Sequence, residues 1–119
     1  MMQEDLRKKV DLAFLSAFYG GLLTEKQRRV LMLHCEEDLS LGEIAAEVGI
    51  SRQAVHETIV RAAARLNEME ASLGVAARFR QMEAGLQDAL DALEKKEYNR
   101  AEQLLHSLLV LDEEESNGL

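Results

Sequence analysis

Between Ser40 and Ser51 the chain signals a helix start, a helix stop and a second start in immediate succession, an order few folds accept. Ser40-Leu41-Gly42-Glu43 has the form of a capping box, in which the serine oxygen accepts a backbone N–H three residues on and the glutamate reaches back. Leu39 before the cap and Ile44 four positions inside the helix have the spacing of a hydrophobic staple. The helix so begun carries Ile44, Ala45 and Val48 and has room for about two turns before Gly49, a residue free to take the left-handed conformation at a helix end. Ile50 and Ser51 then repeat the pattern, with Val55 as the staple contact. A further helix is predicted from Arg52, past Leu66, towards Leu73.

The flanking segments are helical as well. Upstream, Leu6, Val10, Ala13, Phe14, Ala17 and Phe18 recur at three- and four-residue steps, and this predicts a first helix that buries that stripe and ends near Gly20-Gly21. Thr24-Glu25-Lys26-Gln27 is another box and starts a helix at Glu25, with Val30, Leu31 and Leu33 inside. Downstream of Gly74, Phe79, Met82, Leu86, Ala89, Leu90 and Leu93, a polar break at Lys95 to Asn99, and then Ala101, Leu104, Leu105, Leu108 and Leu111 read as a helical hairpin. With no proline, seven glycines and 47% apolar residues in 119, the composition suits an all-α chain and leaves little material for a turn-rich β-sandwich. The organisation expected is an N-terminal helix over 1–23, a helix-turn-helix domain over 24–74, the hairpin over 75–111, and an acidic, disordered tail over 112–119, where like charges repel.

Two short helices about a turn at Gly49 are the outline of a helix-turn-helix. Ala45 is small enough for close crossing, and Ile44, Val48, Ile50 and Val55 supply a small core. Thr58 departs from the pattern, since an aliphatic residue is usual there. The run from Leu23 to Leu66 resembles the fourth region of bacterial sigma factors, with its L-T-x-x-Q-R opening, its S-L-x-E-I-A step and its S-R-Q-A-V recognition helix. In a chain this short the closer resemblance is to the YlxM-type helix-turn-helix proteins, encoded beside the GTPase of the bacterial signal recognition particle. That resemblance implies a three- to four-helix core of the homeodomain-like and winged-helix class, without a wing. It also implies DNA binding and a regulatory or accessory role in the signal recognition particle pathway.

The first turns of a recognition helix enter the major groove, which makes Ser51, Arg52, Gln53 and His56 the candidates to read bases. Arginine pairs bidentately with guanine and glutamine with adenine. Arg52 also stands at the positive end of its helix dipole, where a cation is disfavoured unless an anion faces it. A base edge or phosphate supplies that anion, or the acidic turn Glu36-Glu37-Asp38 does. Lys26, Arg28, Arg29, Arg61 and Arg65 are the candidates for phosphate contact, although Glu57 lies four residues before Arg61, the spacing of an intrahelical pair. His34 and Cys35 adjoin three acids but point roughly 100° apart on a helix, so no metal site is expected.

Charge is the counterargument. Acids outnumber bases 22 to 14, a net charge of −8, where nucleic-acid domains usually carry a basic footprint. The distribution is uneven: Glu25 to Cys35 and Ser51 to Leu66 each hold three cations against one anion, while Asp112 to Glu115 holds four acids. Weak DNA binding by a homodimer is therefore expected, the uncovered stripes of the first helix and the hairpin being candidate interfaces. The alternative is a module that docks a protein or ribonucleoprotein. No phosphate loop, dinucleotide fingerprint, nucleophile elbow or zinc-protease signature appears, so neither enzymatic activity nor a cofactor is expected. The single cysteine, Cys35, allows no internal disulfide, and without a secretory leader the chain reads as cytoplasmic.

Overall fold

A computed structural model describes the backbone of residues 2–117 and the side chains of residues 3–111. The chain is all-α. Its elements are α1 (Met2–Tyr19), a 3-10 turn (Gly20–Leu22), α2 (Glu25–Cys35), α3 (Leu41–Val48), α4 (Arg52–Leu73), α5 (Val75–Glu94) and α6 (Tyr98–Asn117). No strand occurs among the described residues. The start signals act as predicted. At α2 the Thr24 hydroxyl accepts the Gln27 N–H at 3.1 Å while the Gln27 side chain accepts the Thr24 N–H at 3.1 Å. At α3, Ser40 and Glu43 make the same reciprocal pair at 3.1 and 2.9 Å.

Two compact units form, Met1–Ala76 and Ala77–Leu119. In the first, α4 packs against α1, α2 and α3 together and divides the core in two. Val30, Leu33, Ile44 and Val55 are buried with Leu39, Leu41, Ala45, Val48 and Ile50 against them, and this is the core of the α3–α4 pair. Leu31, Ala62, Leu66 and Met69 close against Leu12, Leu15, Phe18 and Tyr19 of α1. Ile59 touches both groups. The Thr58 hydroxyl, out of place in an aliphatic position, donates to the Ala54 carbonyl at 2.7 Å, so the substitution leaves no unsatisfied polar group.

The stripe predicted for α1 needs correction. Leu12, Leu15, Phe18 and Tyr19 face the core, whereas Leu6 and Val10 are 63% and 57% exposed. Helix α1 carries two apolar periodicities, and the one with the larger side chains fills the space against α4, where the alternative would set Ala13 and Ala17.

The choice also places the Tyr19 hydroxyl. Helix α4 ends at Gly74, whose φ of 63° is left-handed, and α5 starts at the next residue. The first N–H groups of α5 therefore have no partner in their own helix. Tyr19, buried to 3% exposure, accepts the Val75 N–H at 3.1 Å and donates to a Glu70 carboxylate oxygen at 2.6 Å; that oxygen accepts the Ala76 N–H at 3.0 Å. Burial, followed by the bond to Glu70, raises the Tyr19 pKa above 10.0.

In the second unit α5 and α6 form the expected hairpin. Its turn is closed by Lys96 N–H to the Leu93 carbonyl at 3.0 Å and Glu97 N–H to the Ala92 carbonyl at 2.8 Å. The helices meet where Gly85 faces Leu108, and a Cβ at Gly85 would collide with the Leu108 side chain; Ala89, Ala92 and Ala101 are also buried. The disordered tail expected from Asp112 is corrected in part: the backbone of α6 stays helical to Asn117, because residues that repel in a coil still extend an existing helix at little nucleation cost. Gly118 and Leu119 lie outside the described residues.

Replacing Tyr19 with phenylalanine removes a donor and an acceptor from a buried site, and a loss of about 1–3 kcal/mol is expected. Chemical denaturation of the two proteins measures it; equal midpoints would show that water replaces the hydroxyl.

Candidate nucleic-acid interface

The α3–α4 pair is positioned by its turn. Gly49 has φ 79°, and the Ala45 carbonyl accepts both the Gly49 N–H at 2.9 Å and the Ile50 N–H at 3.2 Å. Leu39 with Ile44, and Ile50 with Val55, join the same buried group, so both staples are in place. The Ser51 hydroxyl oxygen accepts the Ala54 N–H at 3.0 Å. Its oxygen is thereby committed to capping, and its O–H remains available as a donor.

The base-reading candidates come together. Ser51, Arg52, Gln53 and His56 are all exposed on the first turn and a half of α4. Arg52 makes no ion pair among the described side chains. Of the acidic turn offered as its partner, Asp38 takes the Lys9 ammonium instead. The Glu57–Arg61 pair also fails to form among those residues.

The phosphate candidates are more dispersed. Arg61 follows Arg52 by nine residues, about half a turn out of phase, so the two flank the exposed face from opposite sides, with Arg65 a turn further along. Arg29 approaches Glu47 of α3 at 3.9 Å. Arg28 instead lines a surface groove with Ala13, Ser16 and Ala17 of α1 and Cys35 and Glu36 of α2, because neighbours on a helix point about 100° apart. Lys26, Arg28, Arg61 and Arg65 are exposed and make no ion pair among the described side chains.

Residue-by-residue reading overlooked Val60, which is 52% exposed on the same side of α4 as Gln53. The signal was available: Val55, Ile59, Ala62 and Leu66 define the buried edge, and Val60 falls outside it.

Around His34 the chemistry is structural. Burial, then the charge of Lys9, pulls its pKa below 6.5, and its Nδ1 is buried without a hydrogen-bond partner among the described residues. Burial pushes the half-buried Cys35 thiol upward. No cluster of His, Cys, Asp or Glu among the described residues is arranged to hold a metal ion. No helix there is long and apolar enough to cross a membrane.

Two capped helices about a left-handed glycine, with the second helix exposed along its opening turns, define a helix-turn-helix protein. The comparisons agree. Residues 6–107 match the model of the UPF0122 family, described as "Putative helix-turn-helix protein, YlxM / p13 like", and the chain belongs to that family. It is similar to a UPF0122 protein of Halalkalibacterium halodurans, 41% identical over 107 residues that cover 90% of this chain and 96% of the relative. A UPF0122 protein of Symbiobacterium thermophilum is 41% identical over 97 residues, 82% of this chain and 91% of its own. One of Bacillus mycoides is 37% identical over 109 residues, 90% and 99%.

Two predictions follow from the caps and the turn. Gly49→Ala forces a Cβ into the left-handed region and is expected to cost about 1–2 kcal/mol, whereas Gly42→Ala, in an open part of α3, is expected to gain up to about 1 kcal/mol. Thermal melts with opposite shifts verify the pair. Hydrogen bonding to the Ser40 backbone N–H, then to its side chain, holds the Glu43 carboxyl below 4.5. Because the folded value is depressed, the stabilisation is complete above pH 4.5 and is lost as pH falls through the folded value. Glu43→Gln should flatten that segment of the stability profile; an unchanged acid limb would remove Glu43 from its causes.

Proposed function

We propose that the protein is a DNA-binding regulator that reads duplex DNA through α4 and performs no catalysis. The observation that carries this reading is the exposed opening of α4, where Arg52, with no ion pair among the described side chains, stands at the positive helix end beside Gln53 and His56. Arg61 and Arg65 on one flank, with Lys26 at the start of α2, supply phosphate contacts. The acidic balance of the chain keeps non-specific affinity low, since few counterions are released per complex. Glu57, exposed beside Gln53, adds repulsion towards any phosphate that is not offset by a base contact. Two copies presenting two such helices are needed for useful affinity, and the site of action is the cytoplasm.

A second reading has its own support. Leu6, Val10 and Met32 are exposed apolar side chains on the first unit, Met32 at 42%. A docking module acting on a protein or ribonucleoprotein of the signal recognition particle pathway would use such a surface and tolerate Gln53→Ala.

Titration against a random duplex pool, and separately against signal recognition particle RNA with its GTPase, at two salt concentrations, distinguishes the two. Arg52→Ala/Gln53→Ala is expected to abolish duplex enrichment with a loss on the order of 100-fold, each contact contributing about 1–3 kcal/mol. Saturable binding to the particle without duplex enrichment would replace the first reading by the second.

A further inference from the structure

We propose that the hairpin of α5 and α6 pairs with the hairpin of a second copy of this chain, closing a two-fold four-helix bundle. Along α5, Met82, Leu86, Leu90 and Leu93 recur at steps of four and three, and along α6 Leu105 and Leu109 are four apart. Met82, Leu86, Leu105, Leu108 and Leu109 line one shallow groove, so the two stripes form a single face. Leu86, Leu90, Leu93, Leu105 and Leu109 are 49%, 48%, 46%, 41% and 66% exposed.

The unit lacks a core of its own size. The side chains that the unit buries are chiefly alanine, at Ala89, Ala92 and Ala101, with Leu108 over Gly85. A compact unit that spans only Ala77–Leu119 falls near the roughly 40-residue limit below which domains draw on oligomerisation or staples, and no disulfide is available to it.

The exposed leucines, with Met82 and Tyr98 at 62%, leave on the order of 600 Å² of apolar surface uncovered. That matches the lower end of what a specific interface buries on each partner, about 600–1,000 Å². Another copy supplies an identical face, with Glu102 of α6 at its margin beside Leu105 and Leu109, and an isologous pair about a two-fold axis covers both at once. Two hairpins make four helices, an arrangement in which a and d layers of leucine close on themselves.

The pairing is independent of what α4 binds, so it is tested without nucleic acid. Light scattering and sedimentation of the full chain are expected to give twice the 13.4 kDa of one chain at micromolar concentration. Leu86→Glu and Leu109→Glu should each raise the dimer dissociation constant by about 100-fold or more while far-UV helicity is retained. Val110→Glu, half-exposed on the other side of α6, should leave the mass unchanged. Should a glutamate variant lose helicity, the wild-type melting temperature still decides, because it rises with protein concentration only if the folded state is associated. A monomeric mass with a concentration-independent melt, or a dimer that both glutamate variants preserve, would overturn the proposal.

Discussion

The first unit depends on the single buried edge of α4. Val55, Ile59, Ala62, Leu66 and Met69 follow one another at steps of four and three, and each half of that edge meets a different set of helices. Val55 and Ile59 close the α3 side, while Ala62, Leu66 and Met69 close the α1 side. A helix cannot rotate about its axis when both halves of one edge are packed. The opposite face is therefore presented in a fixed orientation, and it is the face that holds Gln53, Glu57, Val60 and Arg61. Burial of apolar side chains, rather than any polar contact, thus decides which side chains of α4 face solvent.

Polar groups act at the ends of the helices. Thr24, Ser40 and Ser51 each satisfy an N–H that water would otherwise have to reach, and Gly49 and Gly74 release the chain from one helix into the next with left-handed φ. These contacts set where α3 stops and α4 starts to within a residue. They also occupy the Ser51 oxygen as an acceptor, leaving its O–H at the start of α4 beside Arg52, Gln53 and His56. Those side chains are exposed and do not depend on one another for position.

What could be read in the sequence was local. The starts of α2, α3 and α4 rest on side-chain-to-backbone bonds spanning three residues, and each was placed correctly. The α3–α4 core was legible for the same reason, since its staples join residues five apart. The phase of α1 was not. Both of its stripes are apolar, and only the shape of the space beside α4 chooses between them. The Tyr19–Glu70 hydrogen bond joins residues 51 apart and leaves no periodic trace. Among the site candidates, exposure of Ser51, Arg52, Gln53 and His56 follows from helix phase, whereas the separate directions taken by Arg28 and Arg29 depend on which helix each one meets. The helical backbone beyond Asp112 was hidden by charge, which opposes order in an isolated segment but weighs less on a helix already nucleated.

The hydroxyl of Tyr19 has a consequence for where the first unit ends as a piece of chain. Gly74 is the visible break between α4 and α5, and a boundary drawn there would be natural to the eye. Yet the amides that satisfy Tyr19 and Glu70 belong to Val75 and Ala76. A fragment cut at Gly74 would take the Val75 amide from the buried phenol and the Ala76 amide from the carboxylate, so the first unit as a piece of chain includes the opening of the helix that follows. A proline at position 75 or 76 would remove one of these two donors and break the seam.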